Sequence, residues 1–344
     1  MGIFKSNQKP IMNICMMGPK AVGKTTVLTA VFKETQNSIS DTTLNLIAKG
    51  DTNADLIARQ HMLNAIFVKK QEIKDCHSNN IANAGITASS SESSFYFEFG
   101  HIGKEPIIDL IIKDFPGEMV VDKQEDVIKF IKDSHCIFIA IDTPHLMEKD
   151  GVYNEVKNKT KKITELFKKA IKEINSEKLV LFIPLKCEKY FHEERMEEVL
   201  SKVEDTYSEL ITILDSTIRV CCCVSPIQTL GDVEFDDFTY EGNNVKLAAD
   251  GCPAEVKYKY VNEQKYRPLF CSQPLFSLLL FVAAQYKRAS DNKNFIEKLL
   301  SLWNIFSNDE KLYEEIMKMN RNRISDNIKF GYKTICGNEL FNCK

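Results

Sequence analysis

No apolar run in this 344-residue chain is long enough to cross a bilayer. The longest, Pro274 to Ala284, falls well short of the roughly 20 residues a helical span requires. It opens instead on helix-start residues, with Ser272 as a cap and Pro274 in the first turn. Strong charge of one sign is also missing. A net charge of −3 gives no electrostatic reason to expect nucleic acid or an anionic membrane as a partner. Paired cysteines are absent as well: there are eleven, an odd number, with no C-x-x-C. Alternate residues of a strand face opposite ways, which argues against Cys221-Cys222-Cys223 as a metal or redox cluster. With Cys15 and Cys136, these cysteines read as small strand hydrophobes in a reducing compartment. No secretory signal opens the chain, and Met1-Gly2-Ile3-Phe4-Lys5-Ser6 is taken as an accidental match to the myristoylation pattern. A cytoplasmic protein is expected. Repeats and low-complexity linkers are lacking too, so one compact unit is expected.

What is present is ample apolar material, 44% of residues, in short runs that alternate with amphipathic stretches. This pattern predicts an α/β fold: a doubly wound, mostly parallel sheet with one antiparallel edge strand and appended C-terminal helices. Strands are expected at Ile11–Met17, Ser94–Phe99, Pro106–Lys113, Cys136–Ile141, Leu179–Pro184 and Ile218–Val224. The short link between the second and third fits a hairpin and leaves no room for a crossover helix. Helices are expected at Lys24–Lys33, Asn53–Lys70, Lys123–Lys132, Asn154–Ile174, Glu193–Leu214 and Pro274–Arg288. Residues 1–290 are read as the main domain, with insertions at about 34–80 and 232–266. Within the second, Val256–Val261 reads as an extra strand. Residues 291–344 are read as a helical extension packed on that domain.

The motif with most chemical content is Gly18-Pro-Lys-Ala21-Val22-Gly23-Lys24-Thr25-Thr26, between the first strand and the first helix. Its spacing is that of a phosphate-binding P-loop. Glycines let consecutive N–H groups turn inward, and the helix N-terminus adds its positive end. Lys24 can neutralise the outer phosphates, and the Thr25 hydroxyl can ligate Mg²⁺. A second motif ends the third strand: Asp114-Phe-Pro-Gly117-Glu118. Asp114 is positioned to hold Mg²⁺ through water, and Gly117 to offer its N–H to a terminal phosphate. Glu118 follows as a group that could accept a hydrogen bond from an attacking water. A third strand end carries Leu185-Lys186-Cys187-Glu188, where guanine-reading sites place N-K-x-D. A carboxylate there accepts the guanine N1–H and N2–H, a donor pair adenine lacks, while Lys186 covers the base plane. Ser225-Pro226 ends the next strand, where a short loop meets the base edge.

In this order and spacing the motifs resemble the translation-factor-related (TRAFAC) class of P-loop GTPases, over roughly residues 10–290. The phrases Pro184–Tyr190, Ser225–Gly231 and Cys271–Leu275 are similar to the bacterial double-GTPase (DO-GTPase) family, associated with conflict and antiviral defence gene clusters. The resemblance implies GTP/GDP and Mg²⁺ as ligands and a GTPase acting as a molecular switch. It also implies a protein partner, which could be a second GTPase or an effector. Leu185 departs from the usual Asn and Glu188 from Asp, which bears on how strictly guanine is read. Lys20 and Ala21 stand where small signalling GTPases often have glycine. Glu118 stands where those proteins often carry Gln, and slow hydrolysis is the expectation. Thr87 is chosen as the switch threonine that ligates Mg²⁺, since Gly85 and Ser89–Ser91 supply mobility. The rival readings are a pseudo-GTPase interaction module and, from another class, an ATP-using phosphotransferase. The latter would need an arginine-rich lid, which the sequence does not offer.

Overall fold

The computed structural model describes residues 9–72, 93–174, 176–217, 219–261, 266–291, 310–321 and 326–341. β1 (Ile11–Met17) leads through the glycine turn into α1 (Lys24–Ile39), then β2 (Leu44–Ala48) and α2 (Asp51–Glu72). β3 (Ser93–His101) and β4 (Ile108–Asp114) form the expected hairpin, from Ser93 opposite Asp114 to Phe99 opposite Ile108. α3 (Met119–Asp122) and α4 (Gln124–Asp133) follow, then β5 (Cys136–Asp142), α5 (Thr143–Met147), α6 (Asn154–Asn158) and α7 (Thr160–Ala170). Next come β6 (Lys178–Leu185), α8 (Glu188–His192), α9 (Met196–Thr206), α10 (Ser208–Asp215) and β7 (Val220–Val224). An excursion follows, made of β8 (Val233–Phe238), β9 (Tyr240–Glu241), β10 (Asn244–Val245) and β11 (Val256–Tyr260). The chain then returns through α11 (Gln273–Asp291), α12 (Glu310–Arg321) and β12 (Lys333–Cys336).

Eight strands form one sheet in the order β12-β7-β6-β5-β1-β4-β3-β2. The five from β7 to β4 are mutually parallel. β3 runs against β4, and β2 against β3. β1 lies where the strand order reverses, which in such sheets is where a crevice opens at the strand C-termini. Period-two alternation explains how the apolar strands are covered on both faces. Met12, Ile14 and Met16 pack toward α1, α11 and α12, whereas Cys15 and Met17 pack toward α4 and α7. Cys221 and Cys223 fall on the first side and Cys222 on the second. The nine cysteines among the described residues are all free and buried, and Cys15, Cys136 and Cys221–Cys223 lie in strands as expected.

The architecture matches the expected α/β class, and the differences are local. The helix expected over Asn154–Ile174 is broken at Lys159, which takes a left-handed φ of 53°. Asn158 is the cause: its side chain is drawn inward to bond the end of β5, and Val156 is left 40% exposed. The long helix expected at Glu193–Leu214 is interrupted at Tyr207, whose ring is buried 4.8 Å from that of Phe182. β2 and β12 were not anticipated. β12 adds an antiparallel strand beside β7, tied by Tyr332 Oη donating to Cys223 Sγ at 2.9 Å. The C-terminal segment is therefore part of the sheet as well as a helical cover. The extra strand at Val256–Val261 is β11, paired with β8 outside the main sheet.

Candidate functional site

The turn after β1 has the backbone a phosphate cradle requires. Gly18 sits at φ 150°, and a Cβ there would come within 2.6 Å of the Ala140 carbonyl on β5. Ala21 is left-handed at φ 57°, a conformation that costs an L-residue roughly 1–2 kcal/mol. Val22 is buried in the core below the loop, Gly23 starts α1, and Thr26 lies in its first turn. Lys24 is buried, its Nζ donating to the carbonyls of Gly18 (3.3 Å) and Pro19 (3.2 Å). Burial lowers its pKa, with the charges of Asp114 and Glu118 opposing that shift.

Asp114, at the end of β4, lies beside this loop as the D-x-x-G reading requires. Its Oδ2 accepts from Thr25 Oγ1 at 3.1 Å, and its Oδ1 is 3.7 Å from Lys24 Nζ. Burial raises its pKa, opposed by Lys24 and the Thr25 hydroxyl. Oδ1 itself is buried with no hydrogen-bond partner. An unpartnered carboxylate oxygen beside a threonine hydroxyl is a hard-oxygen donor set, and it fits Mg²⁺. Thr87, the third expected ligand, lies outside the described residues.

Gly117 lies directly on the phosphate loop. A Cβ there would be 2.4 Å from the Lys20 amide nitrogen and 2.8 Å from the Pro19 carbonyl carbon. No other residue would fit so close. Glu118, next in line, is paired with Lys20 (Oε1 to Nζ, 2.8 Å), and this bond lowers the pKa of Glu118. Lys20 is thus an ion-pair partner of Glu118. Both side chains are largely exposed, so the pair adds little to stability.

The other end of the crevice is enclosed. Lys186, left-handed at φ 62°, points its Nζ at Asp142 Oδ2, 2.7 Å away at the end of β5, and Tyr258 of β11 lies near enough to act on its pKa. Burial opposes its charge, yet Asp142 and Tyr258 outweigh burial and raise its pKa. Asp142 is fully buried. Despite that, Lys186 and His145 hold its carboxyl well below the usual range. His145 Nδ1 is 2.6 Å from Asp142 Oδ1, and His145 is a buried residue. Glu188 is buried at the start of α8, and its Oε1 accepts the Leu230 N–H at 2.9 Å. Burial pushes its pKa up to about 7, opposed by the Leu230 and Thr229 N–H groups.

Ser225 and Pro226 are both buried and continue the β6–β7 pairing. The Ser225 N–H donates to Phe182 O, and Ile227 bridges Leu185. The backbone that meets Glu188 is that of Thr229–Leu230. Sequence reasoning missed Asp142, His145, Tyr258 and Leu230. Only Asp142, a polar residue ending an apolar strand, left a visible signal. The segment Thr143–Asn158 and the β8–β11 excursion pack together, with Phe238 edge-on to His145 and Tyr153. Leu63 of α2 meets Val233, Leu230, Tyr258 and Tyr266 from the other side.

A mostly parallel sheet covered on both faces, a P-loop after its central strand and a D-x-x-G turn on the neighbouring strand define a doubly wound α/β fold of the P-loop NTPase kind. Among solved structures, the chain is similar to the GTPase-like domain of S. cerevisiae Ski7 bound to GTP. Identity is 14% and the TM-score 0.42, covering 80% of this chain and 51% of that one. For the same domain bound to GDP and inorganic phosphate, identity is 14% and the TM-score 0.39, covering 66% and 44%. The chain thus spans about half the length of both structures. No protein-family model and no curated protein matches it. No helix among the described residues is long and apolar enough to cross a membrane.

Proposed function

We propose that this chain binds guanine nucleotide, hydrolyses GTP slowly and acts as a nucleotide-dependent switch. The observation that carries the reading is the meeting of Lys24, Thr25, Asp114 and Gly117 at the C-terminal ends of β1 and β4. Lys24 would exchange its carbonyl partners for phosphate oxygens, since charge-assisted bonds to phosphate are about twice as strong as neutral ones. Gly117, in contact with the loop, would turn its N–H toward a terminal phosphate. Thr25 and Asp114 would hold Mg²⁺, which would supply positive charge to neutralise the phosphates. Glu118 would face an attacking water with part of its charge neutralised by Lys20, which supports slow intrinsic turnover of about 10⁻⁴–10⁻² s⁻¹.

Base choice rests on Glu188, whose acceptor capacity is only partly used by backbone N–H groups. The three phrases that resemble the double-GTPase family also support one another spatially. Glu188 meets Leu230, Gln228 pairs with Leu269, and Cys271 Sγ donates to Gln228 O at 3.4 Å. A role in a defence or conflict system, with a second GTPase or an effector as partner, is proposed on that sequence likeness. The Lys20–Glu118 pair favours one alternative, a pseudo-GTPase that binds GTP without turnover.

Single-turnover phosphate release and hydrogen exchange across residues 114–121, with a GTP analogue or GDP, test the switch. Measurable release, slowed further by Glu118→Ala, together with protection by the analogue alone, is expected. Equal exchange in both states and normal hydrolysis by the variant would leave a static nucleotide-bound scaffold.

A further inference from the structure

The phosphate loop is held from a side its motif does not specify. Lys24 takes the carbonyls of Gly18 and Pro19, and the next one, that of Lys20, accepts from Lys157 Nζ at 3.0 Å. Lys157 comes from α6, on the connection after β5, and its position is fixed by its neighbour. Asn158 is buried, its Oδ1 accepting the Asp142 N–H at 2.8 Å and its Nδ2 donating to Asp142 O and Asn154 Oδ1. The turn that interrupts the expected long helix is what brings Lys157 to the loop. Among the described residues its ammonium forms no ion pair within salt-bridge distance, and its hydrogen-bond partner is a neutral carbonyl. Its charge is nonetheless felt at Lys24 and at Asp142, and that of Lys159 at Glu118.

Where Lys157 meets the loop decides what it can do. Lys20 is also the residue whose amide nitrogen lies nearest Gly117, the group assigned to the terminal phosphate. Lys157 therefore approaches the end of the site where a triphosphate differs from a diphosphate. A carbonyl oxygen is a weak competitor for an ammonium when a phosphate oxygen is within reach. A triphosphate also brings extra negative charge for a second lysine to meet.

We propose that Lys157 is a second phosphate-binding cation, supplied within the chain, that contacts the terminal phosphate of a bound nucleoside triphosphate and distinguishes it from a diphosphate. This rests on the nucleotide-binding reading above. The test is calorimetric titration of the full chain, unmutated and as Lys157→Met and Lys157→Arg, with GDP and with a non-hydrolysable GTP analogue, both with Mg²⁺. Lys157→Met is expected to weaken analogue binding about tenfold or more while GDP changes less than about twofold, the loss typical of one charged hydrogen bond. Lys157→Arg is expected to retain most of the analogue affinity. Equal weakening of both ligands would overturn the proposal in favour of a general support of the loop. Unchanged affinities would overturn it and leave the nucleotide reading intact. Failure of the unmutated chain to bind either ligand would overturn both. Thermal unfolding of each variant without nucleotide separates these outcomes from misfolding, and Lys157→Arg still decides the matter if the methionine variant does not fold.

Discussion

The two ends of the crevice are built differently. The end proposed to meet the phosphates is made of short-range pieces: a nine-residue motif and a strand-ending D-x-x-G, held by one hydroxyl bond, three lysine–carbonyl bonds and an exposed ion pair. The base end is made of long-range ones. Asp142, Lys186, Tyr258, Glu188 and Leu230 come from four separate parts of the chain and are largely buried. A motif whose members are neighbours in sequence works wherever a strand and helix frame it. A buried polar network works only when distant segments arrive together, and an unpaired charge there is costly. Under the proposed function, the end around Lys24 would therefore suit exchange of partners on binding, and the end around Glu188 would hold a fixed shape.

The strongest break should come at the phosphate end. Lys24→Ala should abolish the thermal shift produced by GTP while the fold remains, because that side chain bonds two carbonyls of its own loop and, among the described residues, otherwise pairs only with Asp114. At 1,000 times the dissociation constant the lost stabilisation is about 4 kcal/mol. A scan with and without GTP reads it directly. Glu188→Ala should erase a GTP-over-ATP preference of more than about tenfold, a loss of roughly 1.5–3 kcal/mol. Because Glu188 also holds the Leu230 N–H, the variant should lose stability as well. Gly117→Ala ranks next, costing about 1–3 kcal/mol by forcing the turn off the loop. It should remove the difference between GTP analogue and GDP in hydrogen exchange at residues 114–121.

Acidity sharpens the contrast. Glu188 is raised to about 7 by burial, above its ordinary 4.5. The folded chain keeps a proton there that the unfolded chain has given up, so this group's contribution falls as pH rises between those values. Above about 7 the penalty is complete, and Glu188→Gln should abolish that part of the pH dependence in urea melts. Guanine preference should run the opposite way, growing as pH rises through about 7 because the ionised carboxylate is the acceptor. The smallest effect is expected from Ala21→Gly. Relief of the left-handed φ should stabilise the chain by about 1 kcal/mol or less, offset in part by glycine's entropy.

The same contrast explains what the sequence made legible. Five parallel strands and the β3–β4 hairpin could be read because buried strands are continuous apolar runs and a short link admits only a hairpin. Lys24, Thr25, Asp114 and Gly117 were legible because strand and helix signals frame them. β2 escaped notice as five residues ending in a mixed Ile-Ala pair within an expected insertion, and β12 because Lys333–Cys336 has too few residues to show a period. The break at Lys159 was hidden by an amphipathic stripe that looked continuous; the deciding bond, from Asn158 to Asp142, is long-range. Lys186 and Glu188 could be named from spacing, but their partners Tyr258 and Leu230 could not. No local pattern encodes which distant segment will come to rest on a given side chain.

The most direct measurement is a calorimetric titration of the unmutated chain with GTP, GDP and ATP in the presence of Mg²⁺. The account predicts one site that binds GTP and GDP and takes ATP more weakly by over about tenfold. Equal affinity for ATP and GTP, or binding of neither, would contradict it.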